Sequence, residues 1–120
     1  RDIAGPHPAA ENRVGDDLHT VLRAMRRDYG RRWSIRDFAE LMGLSETQFF
    51  RRFRTALGVS PMDYLRRERI NNAKRALAGS SDPIHLIAER VGYGDPYYFS
   101  RDFKKVVGIP PRDYRRKEQM

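Results

Sequence analysis

The sequence predicts an all-α fold of seven helices, with a unit of two short helices about a glycine turn that occurs twice. Three observations carry this reading. Apolar residues recur at helical three-and-four spacing, helix-capping residues punctuate the chain, and the second half repeats the first in ordered register. No segment shows the strict alternation of a half-buried strand.

Val14, Leu18, Val21, Leu22, Met25 and Tyr29 set the spacing of the first helix over about four turns. Ser34 then caps a second helix with Asp37 three positions on, and Trp33 and Phe38 occupy the two positions of a hydrophobic staple. In "LSETQF" Ser45 caps a third helix, Gln48 completes a capping box and Leu44 can staple to Phe49. Gly43 lies between these two helices, where a sharp turn needs a residue tolerant of positive φ. "VSPMDY" starts a fourth helix, with Ser60 as cap and Pro61 at the first helical position, running to about Ala78 before "GSSD". Asp82-Pro83 starts a fifth, Asp95-Pro96 a sixth and Pro110-Pro111 a short seventh. "RDIAGPHPAAENR", at 1–13, is rich in Pro, Gly and Ala without periodicity and reads as a linker remnant or disordered arm. The expected organisation is therefore that arm at 1–13, a first subdomain at 14–60, the linker helix at 61–78 and a second subdomain at 79–120.

The repeat is specific. At an offset of 49, Ile35, Ala39, Glu40 and Gly43 match Ile84, Ala88, Glu89 and Gly92. One extra residue in the turn moves the offset to 50, after which Phe49, Arg51, Phe53, Gly58, Pro61, Asp63 and Tyr64 match Phe99, Arg101, Phe103, Gly108, Pro111, Asp113 and Tyr114. The unit is two short helices about a glycine turn, followed by a helix start. Two copies are too few for a solenoid.

Composition narrows the function. Lys and Arg number 24 against 16 Asp and Glu, and the whole net charge of +8 falls in residues 31–120, since the first thirty residues balance. A basic folded region suits a polyanion. There is no cysteine, so disulfides, thiolate metal sites and cysteine nucleophiles are excluded. No apolar run approaches the ~20 residues of a membrane span. His7, His19 and His85 lie far apart, offering no metal spacing and no triad. No nucleophile–base pair supports an enzyme, no cofactor is expected, and "GYG" at 92–94 serves as a turn rather than a phosphate loop.

A short helix, a glycine turn and a second helix make a helix-turn-helix, whose second helix enters the DNA major groove. Here the second helices are expected at 46–57 and 96–107. On the first, Phe49, Phe53, Ala56 and Leu57 share a core face, and Glu46, Thr47, Phe50, Arg51 and Arg54 stand opposite. The repeat places Pro96, Tyr97, Ser100, Arg101 and Lys104 at the equivalent points. Arg51 and Arg101 share one place in both units, where a guanidinium can grip guanine O6 and N7 bidentately or hold a phosphate. Phe50 suits a thymine methyl or burial against the other subdomain, and both readings stand. Tyr97 can combine a ring contact with a hydrogen bond, and Tyr98 is expected to be partly buried. The basic runs "RRER" at 66–69 and "RDYRRK" at 112–117 read as solvated faces, some of whose members touch backbone phosphate, which positions without reading sequence. The phosphate set expected is Arg54, Lys104, Lys105, Arg115 and Lys117.

Ile87, Ala88, Val91, Gly92, Tyr93, Tyr98, Phe99, Arg101, Phe103, Lys104, Lys105, Gly108, Pro111, Tyr114 and Arg115 together resemble the signature of the AraC/XylS family of bacterial transcription regulators. The resemblance covers residues 14–117, including the first unit and the Arg69, Ile70, Ala73, Leu77 pattern of the linker helix. It implies two helix-turn-helix subdomains joined by a long linker helix at 61–78, and base-reading positions at Glu46, Thr47, Phe50 and Arg51 and at Pro96, Tyr97, Ser100 and Arg101, the positions that helical geometry selects independently. Pro110 departs from the family by standing where Ser or Thr is usual. By the resemblance most members are two-domain proteins whose other domain senses a ligand or dimerises, and a stand-alone short regulator is the alternative.

The function expected is sequence-specific binding of double-stranded DNA, with two recognition helices in successive major grooves. A linker helix of about 18 residues spans ~27 Å against a groove repeat of ~34 Å. Expected partners are double-stranded DNA, RNA polymerase and an upstream effector-binding or dimerisation domain, with no membrane, in a bacterial cytoplasm at the nucleoid. The alternative is a helix-turn-helix module used for protein–protein interaction. An RNA-binding reading is weaker, because stacking platforms for single strands usually lie on sheets.

Overall fold

The computed structural model describes the backbone of residues 8–120 and the side chains from residue 18 onward. Among the described residues there are seven helices and no strand: α1 (Pro8–Arg27), α2 (Ile35–Met42), α3 (Glu46–Leu57), α4 (Pro61–Gly79), α5 (Ile84–Arg90), α6 (Pro96–Val107) and α7 (Pro111–Glu118). Helix α1 takes in residues 8–13, which the sequence reading gives to an arm. Pro8 at the first helical position has its φ pre-set, and Ala9, Ala10 and Glu11 have high helix propensity. The remainder of the expected arm, residues 1–7, lies outside the described residues.

The chain forms two compact units. The first comprises α1 with Trp33–Asp63, and the second comprises Asp28–Arg32 with Tyr64–Met120. The division therefore cuts α4 one turn from its start and assigns the turn after α1 to the second unit.

In the first unit α2 packs on both α1 and α3. Val21, Leu22 and Met25 from α1, Phe38, Ala39 and Met42 from α2, and Phe49 and Phe53 from α3 are buried. The rings run in series: Trp33 stacks on Phe38 at 4.7 Å, Phe38 meets Phe49 at 5.9 Å, and Phe49 meets Phe53 at 5.7 Å. Both expected N-terminal caps form. Ser34 Oγ accepts from the Asp37 amide while Asp37 Oδ2 accepts from the Ser34 amide, and Ser45 and Gln48 make the same reciprocal pair. Each cap satisfies amides that the helix leaves without partners. Gly43 takes φ +66° in the turn between them.

In the second unit Ile70, Ala73 and Leu77 of α4 bury against Ile87 and Ala88 of α5, Val91, and Phe99 and Phe103 of α6. Tyr29, from the turn after α1, and Tyr114 of α7 pack onto this core. Helix α6 has its expected cap: Asp95 Oδ1 accepts from the Tyr97 amide, with Pro96 at the first helical position. Pro83 and Pro110, at the N-caps of α5 and α7, supply no side-chain cap. Asp82 instead accepts from Arg90 Nη1 at 2.7 Å, tying the entry of α5 to its last turn.

Candidate nucleic-acid interface

Each recognition helix buries one stripe and presents another, and the two units do so alike. Phe49 and Phe53 on α3, like Phe99 and Phe103 on α6, are fully buried. Their ring centroids lie 5.7 Å apart on α3 and 5.8 Å apart on α6. Both helices end at a left-handed glycine, Gly58 or Gly108, whose amide donates to the Arg54 or Lys104 carbonyl at 2.8 Å. With the buried stripe fixed at both ends, the residues opposite it are held outward.

On α3 those residues are Glu46, Thr47, Phe50, Arg51 and Arg54, all exposed. Thr47, Phe50, Arg51 and Arg54 line one shallow hollow together with Thr55, so the structure brings them together. On α6 Pro96, Tyr97, Arg101 and Lys104 are exposed and Ser100 is half-buried. Tyr97 is 82 % exposed, an extreme value for a large ring. Lys105 is exposed on the same helix, and Lys117 is exposed on α7.

Two side chains, Ala56 and Tyr98, differ in burial from the sequence reading, and Arg115 has a partner within the chain. Ala56, expected on the core face of α3, is exposed, because Phe49 and Phe53 fill the stripe and the helix turns Ala56 off its edge. Tyr98, expected to be partly buried, is 57 % exposed and meets Tyr93 edge-on at 5.9 Å. Arg115, expected at a phosphate, is half-buried and donates from Nε to the Leu77 carbonyl at 3.1 Å. Gln119 Nε2 reaches the same carbonyl at 2.9 Å and the Ser80 carbonyl at 2.8 Å, so α7 caps the end of α4.

Sequence reasoning also missed the supports behind α6. Asp102 is buried, accepts from Tyr93 Oη at 2.9 Å and faces Arg66 Nη1 at 3.8 Å. Burial and this hydrogen bond push the Tyr93 phenol well above its ordinary value of 10.0. Arg69 donates from Nε to the Tyr29 carbonyl at 2.7 Å and from Nη2 to the Arg31 carbonyl at 2.8 Å, and desolvation lowers its pKa. Asp102 did carry a signal: three positions after Phe99, it falls on the core stripe.

Among the described residues no three His, Asp or Glu side chains come together as a metal set, and no helix is long and apolar enough to cross a membrane.

Fold and interface together define a double helix-turn-helix domain. A family model described as a helix-turn-helix domain matches residues 38–117. The chain belongs to this family, in its AraC/XylS branch. It is 35 % identical over 94 residues to the HTH-type transcriptional regulator YisR of Bacillus subtilis, covering 78 % of this chain and 32 % of that protein. Among solved structures, the C-terminal domain of AraT, a response regulator from Geobacillus stearothermophilus, superposes with a TM-score of 0.84 at 30 % identity over 90 % of each chain. The DNA-binding domain of AdpA, a global transcriptional factor, solved in complex with a target DNA, superposes with a TM-score of 0.81 at 26 % identity, covering 84 % of this chain and 91 % of that one. The chain spans about a quarter to a third of the length of the curated relatives it matches.

Proposed function

We propose that this chain binds double-stranded DNA sequence-specifically, as the DNA-reading part of a bacterial transcription regulator, through α3 and α6 in successive major grooves. The observation that carries the reading is the duplicated face: Thr47, Phe50, Arg51 and Arg54 on one helix, Tyr97, Ser100, Arg101 and Lys104 on its repeat. A core has no use for such a face twice over. The net charge of +8 suits a polyanion, and the relative solved on its target DNA supports the same role.

Within this reading Glu46, Thr47, Phe50 and Arg51 meet base edges in one groove, and Pro96, Tyr97, Ser100 and Arg101 meet them in the next. Arg54, Lys104, Lys105 and Lys117 hold phosphates. Arg115, its Nε engaged by the Leu77 carbonyl and its Nη2 buried, has only Nη1 to offer a phosphate. RNA polymerase and an effector-binding or dimerisation domain are the proposed further partners, in a bacterial cytoplasm at the nucleoid. No reaction and no cofactor belong to the proposal.

The test is a titration of duplexes selected from a random pool, repeated across salt. With about six phosphates neutralised, log affinity falls against log salt with a slope near −5, at roughly −0.9 per phosphate. Absence of duplex binding at low salt overturns the proposal and leaves the protein-interaction module standing.

A further inference from the structure

Helix α3 carries an aromatic ring where its twin carries a hydroxyl: Phe50 and Ser100 stand at equivalent points of the repeat. Phe50 is 39 % exposed on a face otherwise rich in guanidinium groups. Two shallow hollows meet at its ring. One is lined by Ile35, Glu46, Thr47 and Phe50, the other by Thr47, Phe50, Arg51, Arg54 and Thr55. The first hollow is thus walled by a branched aliphatic side chain from α2, a threonine and a phenyl ring. In the second unit Ile84, the twin of Ile35, is half-buried like it, but no phenyl stands at position 100.

A hollow walled by Ile35 and Phe50, which shares Thr47 and Phe50 with the one that Arg51 and Arg54 line, matches one feature of a major-groove floor. Among the four bases only thymine presents a methyl group there, at C5, where cytosine has a bare C–H, and the groove is otherwise read through hydrogen-bond donors and acceptors. Covering that methyl with Phe50 and Ile35 removes apolar surface on both partners from water. Glu46 borders the same hollow, where a carboxylate accepts from the N6 amine of the adenine paired with that thymine.

We propose that Ile35, Thr47 and Phe50 form a methyl notch that reads the C5-methyl of a thymine, next to the base pair gripped by Arg51. The inference rests on the DNA-binding reading above and adds the base, the atom and a residue of α2, Ile35, outside the recognition helix. It makes the two half-sites chemically unlike: the unit containing α3 reads a methyl through a ring at position 50, and the unit containing α6 has Ser100 there.

Duplexes selected from a random pool by the wild-type chain supply the probes. Each thymine in turn is replaced by deoxyuridine, which removes the methyl alone. At one position, within one or two base pairs of the site that responds to Arg51→Ala, the replacement is expected to lower affinity about fourfold, the factor given by burying one methyl-sized group. Phe50→Ala, with an unchanged melting curve, binds both duplexes equally, whereas Phe50→Leu keeps the preference because it keeps an apolar wall. Cytosine and 5-methylcytosine are placed at the same position. Thymine binding at least as well as 5-methylcytosine supports the assignment, and 5-methylcytosine binding better than thymine overturns it in favour of a methylated site. Tight binding of the selected duplex with no Phe50-dependent difference between thymine and uracil at any position overturns the notch while leaving DNA binding intact. Failure to bind any duplex overturns the underlying reading instead.

Discussion

The Arg69 guanidinium lies against Gly92 so closely that a Cβ added there would stand 2.7 Å from Nε and 3.0 Å from Cζ. Gly92 also holds φ at +106°. Its counterpart in the first unit, Gly43, has φ +66° and nothing within 4 Å of an added Cβ. Both turn glycines thus hold a left-handed φ, Gly92 alone also lacks room for a Cβ, and Gly→Ala substitutions separate the two requirements. Gly43→Ala should cost ~1–2 kcal/mol, the strain of an L-residue in the left-handed region. Gly92→Ala should cost ~1–3 kcal/mol more, because Arg69 must withdraw from carbonyls that it holds with charge-assisted hydrogen bonds. In an Arg69→Ala background that extra cost should vanish. Urea melts of the four variants measure it, and equal costs for the two glycines in the wild-type background would show that Arg69 yields freely.

The pair formed by Tyr93 and Asp102 gives a pH prediction. The Tyr93 phenol is held above its ordinary value of 10.0, first by burial and then by its hydrogen bond to Asp102. A group whose folded pKa is raised contributes stability that is fully present below the unfolded value and is lost as pH rises through the folded one. Above about pH 10 the unfolded chain releases the Tyr93 proton while the folded chain keeps it, so stability falls. Tyr93→Phe should cost ~1 kcal/mol at neutral pH, the net worth of a hydrogen bond. The same variant should lose less stability than wild type between pH 9 and pH 11, as read from denaturant midpoints. Parallel curves for the two proteins would place the alkaline loss in other groups.

Most of the helical frame was legible because it is written in local chemistry. Ser34, Ser45, Ser60 and Asp95 cap helices in the structure as their neighbours predict, and the Ser60 Oγ accepts from the Asp63 amide at 3.2 Å. The outward face of α3 was legible for the same reason, since Phe49 and Phe53 fix the rotation of the helix. What escaped depends on residues far apart in sequence. Nothing near Arg69 announces that it donates to carbonyls 40 and 38 positions earlier. That tie accompanies Asp28–Arg32 into the second unit, whereas contiguous reading puts the segment in the first. Arg115 looks like one more cation in a basic run until the Leu77 carbonyl is found beside it. Tyr98 sits next to a buried phenylalanine in sequence, yet most of its ring stays outside, touching Tyr93 edge-on.

The equivalence of the two cores predicts equal sensitivity. Phe53 and Phe103 are both fully buried, with centroid distances to Phe49 and Phe99 that differ by a tenth of an ångström. Phe53→Ala and Phe103→Ala should each destabilise by ~3–5 kcal/mol, through lost burial and the cavity left behind. Because they fall in separate units, a melt followed by a probe in each unit should show the loss first in the unit that carries the substitution. An unchanged melting curve for either variant would mean that the helix faces are reversed.

The sharpest prediction concerns the paired arginines. Arg51 and Arg101 stand at matching points of α3 and α6, both exposed and both opposite a buried phenylalanine stripe. Removing either side chain touches no core contact, so Arg51→Ala and Arg101→Ala should change stability by no more than the ~0.5 kcal/mol usual at surface sites. On the proposed reading each should cost ~1–3 kcal/mol in binding the selected duplex and relax sequence preference at one groove only. The two affected base positions should lie about one helical turn apart, since each helix serves its own groove. Lys117→Ala provides the contrast: a phosphate contact weakens binding to every sequence slightly and equally and lowers the salt slope by about one. Selection of bound duplexes with each variant distinguishes the outcomes. If the two arginine variants keep full sequence preference and lose only salt dependence, both guanidinium groups hold phosphate, and reading falls to Thr47, Tyr97 and DNA shape. If neither variant changes binding to any duplex, the two-groove mode is wrong for this chain.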